Sequence, residues 1–145
     1  MILERFKAAH LQEIELQAAQ VHARGDLAYA TALEQMGPAY TVRSDDGAIA
    51  ICAGLSDTSI APDYSVGWAF LSVHARKYMR TLTRMSQRAL TTATRPAIAT
   101  SVEAGFAAGE RWLRLLGFSV CTRADQPCTV CGPDGRTYII FERRR

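Results

Sequence analysis

The sequence predicts a mixed α/β fold: a single domain over residues 1–145, with one mostly antiparallel central sheet flanked by helices. Three observations carry that expectation. Apolar residues recur at helical spacing in four separate stretches, whereas the segments between them alternate at period two or run apolar for five to eight residues. An Asp-Gly pair joins two of those runs, the sequence sign of a hairpin. Apolar types make up 48 % of the chain and charged types 21 %, enough apolar material for a core without a metal or disulfide to hold it.

In order, residues 2–6 form a short strand, after which Leu11, Ile14, Ala18 and Val21 fall on one helical face, ended by Gly25. A second helix fits residues 27–36, stopped by Gly37-Pro38. Residues 40–43 and 48–53 flank Asp45-Asp46-Gly47 as a hairpin. Residues 64–73 make a third long strand with Tyr64, Val66, Trp68 and Phe70 on one face. Residues 74–92 form the strongest helix: Tyr78, Leu82, Met85 and Ala89 are its apolar stripe, and Arg76, Arg80, Arg84 and Arg88 its basic ridge. Residues 95–101 are a short strand. Residues 107–116 form a helix with Trp112, Leu115 and Leu116 inward, and Gly117 takes the left-handed closing position before a strand begins at Phe118. Pro133-Asp134-Gly135 turns the chain into a last strand over 137–142, leaving Arg143, Arg144 and Arg145 as a solvated end.

The formal charge of +3 is unevenly distributed. Between His74 and Arg114 eight basic residues face two acids, and the rest of the chain is net acidic. A basic centre favours an anionic partner, whether a phosphate-bearing cofactor, nucleic acid or an acidic protein face; the alternative is a set of solvated helix faces. The longest apolar stretch, residues 48–55, is far short of the ~20 residues that cross a bilayer, so no membrane span is expected. Residues 1–24 carry Glu4, Lys7, Glu13 and Glu15 where an export signal is apolar, so the expectation is a chain that is not exported and has no structural disulfides. Cys128-Thr-Val-Cys131 has the spacing of a zinc knuckle, with Cys121 a possible third thiolate; a tetrahedral site needs four ligands, and His10, His22 and His74 are distant in sequence. Idle or buried thiols are the competing reading.

The element order, together with Arg111-Trp-Leu-Arg-Leu-Leu-Gly-Phe118, resembles the GNAT N-acetyltransferase superfamily along the whole chain. Trp112 to Phe118, followed by Gly132-Pro-Asp-Gly-Arg136 and Phe141-Glu-Arg143, is similar more narrowly to the small GNAT-like internal virion proteins of short-tailed (podovirus) bacteriophages. The resemblance implies an acyl-CoA N-acyltransferase fold, with acetyl coenzyme A held by backbone amides at the start of the helix after the long central strand. The usual pattern there contains glycines, because only glycine lets the backbone wrap a diphosphate so closely. The matching stretch, Ser72-Val-His-Ala-Arg-Lys-Tyr-Met-Arg80, has none. Val73, His74, Arg76, Lys77 and Arg80 are the candidates to meet a phosphate instead. Phe106 stands where the family carries an asparagine and Leu113 where it often carries a proton-donating tyrosine, and neither side chain can do that chemistry. Asp63 and Glu103 are the carboxylates able to project toward a cleft as catalytic bases.

Three functions follow as expectations. The first is a non-catalytic phage protein contacting other virion proteins in the head, portal, tail or ejection apparatus, found in the virion and, during infection, in the host cytoplasm, with no cofactor. The second is an acetyl-CoA-dependent N-acetyltransferase with a degenerate diphosphate loop. The third is a module laying Arg76, Arg80, Arg84 and Arg88 along DNA phosphates.

Overall fold

The computed structural model describes residues 1–132 and 134–145; Pro133 of the expected turn lies outside the described residues. The elements are β1 (Ile2–Arg5), α1 (Ala8–Glu13), a 3-10 segment (Ala18–Ala23), α2 (Leu27–Gln35), β2 (Ala39–Arg43), β3 (Ile49–Asp57), β4 (Tyr64–Leu71), a 3-10 turn (Ala75–Tyr78) and α3 (Met79–Leu90). The second half has β5 (Ala97–Glu103), α4 (Ala107–Leu115), β6 (Ser119–Val120), β7 (Thr122–Arg123), β8 (Gln126–Pro127), β9 (Thr129–Cys131) and β10 (Thr137–Arg144). The main sheet runs β1-β2-β3-β4-β5-β10-β6, with β9 also on β10, and β7 and β8 form a separate hairpin. Among the described residues the pairings within the main sheet are antiparallel except that of β4 with β5.

Local chemistry accounts for these elements. Asp26 caps α2 by accepting the Tyr29 N–H at 2.9 Å. Gly47, at φ +89°, closes the β2–β3 hairpin, a conformation that glycine enters freely. Gly37 is required by space instead: a Cβ there would sit 2.0 Å from the Leu55 carbonyl oxygen. Side chains alternate across the sheet, so Cys52 and Phe70 join Phe6, Leu11, Ile14 and Leu33 under α1 and α2, while Ile51 and Leu71 pack with Leu82 of α3. Ile98, Val102, Leu116, Phe118 and Phe141 form a third cluster under α4. The Trp112 indole N–H donates to the Thr83 hydroxyl at 3.0 Å and ties α4 to α3.

The structure corrects four local expectations. The helix expected to run to Gly25 stops at Glu13: Ile14 is extended (ψ 132°), Leu16 bridges to Ser72, and a 3-10 segment follows. The helix expected from His74 starts at Met79 after a 3-10 turn, and Ala89 of its stripe is exposed although Leu82 is buried. Leu115 points outward at 64 % exposure, because the inward stripe of α4 is Trp112, Leu113 and Leu116. Arg143 and Arg144 are strand residues paired with Ile98 and Ala97, since β5 runs the full length of its partner; Arg144 also donates to the Tyr64 hydroxyl at 2.8 Å. Among the described residues no helix is long and apolar enough to cross a membrane.

Candidate functional site

Among the described residues one pairing of the sheet is parallel, and it covers only three residues of each strand. β4 meets β5 at Tyr64↔Ala97, Ser65↔Ile98 and Val66↔Ala99, and beyond Val66 the strands part. β3 keeps its pairing with β4 through Leu71, so the other edge of β4 opens onto a wedge. Backbone groups on such an edge must find other partners. Here they find the segment after α1: the Gln17 N–H donates to the Leu71 carbonyl at 3.2 Å. The Gln20 side chain takes two more, its carbonyl accepting the Leu71 N–H and its amide donating to the Ala69 carbonyl, both at 2.8 Å. These bonds explain why the first helix breaks after Glu13: the chain leaves the helical path to cover the open edge of β4.

At the C-terminal end of β4, Val73, His74, Arg76 and Lys77 line an open concavity of about 500 Å³. Four of the five residues expected to meet a phosphate are thus brought together, and Arg80 sits exposed just beyond them on α3. His74 is the N-cap residue of the 3-10 turn that leads into α3, whose amino-terminal end favours negative charge. Two acids temper the loop. His74 Nε2 lies 3.2 Å from Glu15 Oε2. Asp46 is held below its ordinary pKa chiefly by the Ser44 hydroxyl and the Ala48 N–H, with smaller help from Lys77 and His74. As a test of fit for a coenzyme A diphosphate, the donor set is suitable, with an imidazole, a guanidinium and an ammonium around one concavity. The recognition it offers is by side chains, since residues 72–80 contain no glycine.

The C-terminal end of β5 carries a different chemistry. Glu103 accepts a hydrogen bond from Arg136 Nη1 at 2.8 Å, and its second oxygen lies 3.6 Å from His22 Nε2. Asp134 Oδ2 lies 3.5 Å from the same imidazole nitrogen and accepts the Tyr138 hydroxyl at 2.7 Å. The Tyr138 hydroxyl and the Arg136 backbone N–H hold Asp134 below the usual carboxylate range. Burial, then the hydrogen bond to Asp134, pushes Tyr138 up to about 12. His22 belongs to the same 3-10 segment as Gln20, so that segment straps the wedge from β4 across to the ends of β5 and β10.

Asp63, the other expected carboxylate, precedes β4 at the opposite end, exposed and about 25 Å of strand away from the concavity. Phe106 and Leu113 pack into the α4 cluster. Arg76, Arg80, Arg84 and Arg88 are all exposed. Cys121 and Cys128 have their sulfurs 3.0 Å apart, whereas the Cys131 thiol faces the Gly132 carbonyl. Among the described residues no group of three His, Cys, Asp or Glu side chains is placed to hold a metal. Sequence reading missed His22, Gln17, Gln20, Asp134, Arg136 and Tyr138 as site residues; the available signal was Asp134-Gly-Arg136, which was legible as a turn and not as a charge cluster.

No protein-family model matches the sequence, and no curated protein matches it. Solved structures do match. The ribosomal-protein-alanine N-acetyltransferase from Brucella melitensis superposes with a TM-score of 0.73 at 16 % identity, covering 100 % of each chain. The ribosomal-protein-S18-alanine N-acetyltransferase from Escherichia coli gives 0.66 at 16 % identity over 99 % of this chain and 92 % of its own. The NatB acetyltransferase complex, solved bound to CoA and MES, gives 0.73 at 11 % identity over 99 % of both chains. The fold is therefore that of the GNAT N-acetyltransferases.

Proposed function

We propose that the protein is an acyl-coenzyme A-dependent N-acyltransferase. One observation carries the reading: β4 and β5 part after Val66↔Ala99, so that His74, Arg76 and Lys77 at the end of one strand and Glu103 at the end of the other flank a common wedge. The acetyltransferases of the same fold support it, among them a complex solved with CoA.

In this reading His74, Arg76 and Lys77 bind the cofactor's diphosphate by charge-assisted hydrogen bonds. An extended amide chain entering the wedge pairs with the Ala69 carbonyl and the Leu71 N–H, the groups that Gln20 otherwise holds. When bound, acetyl coenzyme A would supply a thioester whose acyl carbon an amine attacks, with the C–S bond breaking and the coenzyme's thiolate leaving to take a proton from solvent. Glu103 takes the proton that the amine must lose, and Arg136, bonded to its Oε1, fixes the carboxylate's orientation. Asp134 adds a second negative charge that draws a cationic amine toward Glu103.

Calorimetric titration with acetyl coenzyme A, followed by release of free coenzyme A in the presence of a panel of primary amines, tests the proposal. A dissociation constant of about 100 μM or lower, equivalent to about −5.5 kcal/mol, and amine-dependent release are expected. Absence of both overturns it.

A second reading keeps the resemblance noted in the sequence: a non-catalytic protein of a phage particle that uses the scaffold for contacts with other virion proteins, with Gln17 and Gln20 permanently occupying the open edge of β4. Mass spectrometry of purified particles decides it. Stoichiometric copy number supports the virion role, and absence from particles removes it.

A further inference from the structure

The hairpin that follows β6 places two thiols face to face. β7 and β8 pair Thr122↔Pro127 and Arg123↔Gln126, so Cys121 lies directly opposite Cys128. The Cys128 N–H donates to the Cys121 carbonyl at 2.8 Å. That bond keeps the two backbones adjacent, and side chains that meet from adjacent segments are the arrangement a disulfide requires. The two sulfurs are 3.0 Å apart, with the Cys121 thiol donating to Cys128, and all four cysteines are free.

The surroundings hold this pair in place and leave it reachable. Ile140 of β10 accepts the Cys121 N–H and donates its own N–H to the Cys128 carbonyl, both at 2.9 Å, so each flank of the hairpin is seated on the same residue. The turn puts Ala124 and Asp125 at φ 52° and 62° without a glycine, strain that persists only where the flanks are firmly held. An open concavity of about 440 Å³, lined by both thiols together with Arg123 and Gln126, admits a small molecule. Cys52, by contrast, is buried, and the exposed Cys131 thiol is engaged with the Gly132 carbonyl.

We propose that Cys121 and Cys128 form a dithiol site that exchanges with low-molecular-weight disulfides and closes into an intrachain disulfide across the hairpin. Cys128, the sulfur that receives the hydrogen bond, gives its proton to solvent and attacks one sulfur of the reagent. The reagent's S–S bond breaks, and its first half leaves as a thiolate that is protonated by water. Cys121 then loses its proton to solvent, attacks the Cys128 sulfur of the mixed disulfide and expels the second half. Two protein thiols are oxidised and one disulfide is reduced to two thiols. The hydrogen bond to Cys128 holds the Cys121 thiol above its ordinary pKa, which keeps Cys121 protonated until the first exchange has consumed its acceptor. With the second thiol already in contact, its effective concentration is in the mM range or above, so the mixed disulfide does not accumulate.

The experiment incubates the Cys131→Ser variant with oxidised glutathione, traps remaining thiols by alkylation and maps the tryptic peptides without reduction. Trypsin cuts after Arg123, between the two cysteines, so the bond joins two otherwise separate peptides. The expected result is a monomer with Cys121 linked to Cys128, Cys52 alkylated only after unfolding, and full reversal by dithiothreitol. In the full-length chain with Cys131 restored, the same bond forms. A stable glutathione adduct on either cysteine, dimers linked through them, or both thiols remaining open to alkylation overturns the proposal. Cys121→Ser, which removes the resolving thiol, is expected to trap glutathione on Cys128; an unmodified Cys128 in that variant counts against the assigned order of attack.

Discussion

The side-chain carbonyl of Gln20 accepts the backbone N–H of Leu71 at 2.8 Å, joining residues 51 positions apart in the chain. Through this bond and its partner to Ala69, one side chain replaces the neighbouring strand that β4 lacks beyond Val66. Gln20→Ala removes both bonds. Unfolding in urea is expected to show a loss of about 1–3 kcal/mol, the cost of two hydrogen bonds on a partly buried edge. Under the acyltransferase reading, the same variant is expected to bind acetyl coenzyme A about threefold to tenfold more tightly, because the ligand no longer competes with the glutamine. Unchanged or weaker binding contradicts the role given to Gln20.

Glu103→Gln preserves shape but cannot accept a proton. In an amine acetylation assay kcat is expected to fall about 10²–10³-fold with KM little altered. The deficit is expected to shrink as pH rises toward the amine's own pKa, where the acceptor deprotonates without help. Asp63→Asn, at the far end of β4, is the control and leaves both constants in place.

Both halves of this site show what local sequence reveals and what it does not. Val73, His74, Arg76 and Lys77 were legible because they are contiguous: a strand end followed by a basic helix start puts them around one concavity. His22, Asp134 and Tyr138 come from segments more than a hundred residues apart, and no local pattern brings them together. The first helix failed for a related reason. Leu11, Ile14, Ala18 and Val21 do keep a helical period, but the open edge of β4 offers Gln17 and Gln20 better partners than another helical turn does. Strands were read well where turn chemistry marked them, as at Asp46-Gly47. The strand character of Arg143 and Arg144 was missed, since it depends on β5 extending alongside them.

Two glycines separate space from backbone conformation. Gly37→Ala forces a Cβ to within 2.0 Å of the Leu55 carbonyl oxygen, and a loss of about 3 kcal/mol or more is expected. Gly47→Ala meets no neighbour within 4 Å but must hold φ at +89°, for which about 1 kcal/mol is expected. Chemical denaturation of both variants checks the order; a larger loss at Gly47 reverses the account.

Cys52 gives the fold an alkaline limit. Burial pushes its thiol up to about 11 from 9.0, with a hydrogen bond to Thr41 opposing the shift. Between those values the unfolded chain loses the proton while the folded chain keeps it, so stability is intact below pH 9.0 and declines as pH rises toward about 11. The shift corresponds to about 2–3 kcal/mol. Cys52→Ala is expected to be less stable at neutral pH yet to lose less than wild type over that window, measured by urea midpoints at successive pH values. Parallel pH profiles for the two proteins exclude this origin.

The short seam between β4 and β5 also divides the molecule in its fluctuations. β1 to β4 form one antiparallel unit and β5 with β10 and β6 another, and their sheet connection is confined to Tyr64, Ser65 and Val66. Such a boundary separates regions that open independently, each with its own free energy below that of global unfolding. In hydrogen–deuterium exchange the amides of β3 are thus expected to outlast those of the seam. The strap from Gln20 to His22 and the Trp112–Thr83 bond act as stitches beside it, so cutting either one accelerates exchange along the seam first and leaves each half-sheet protected within itself.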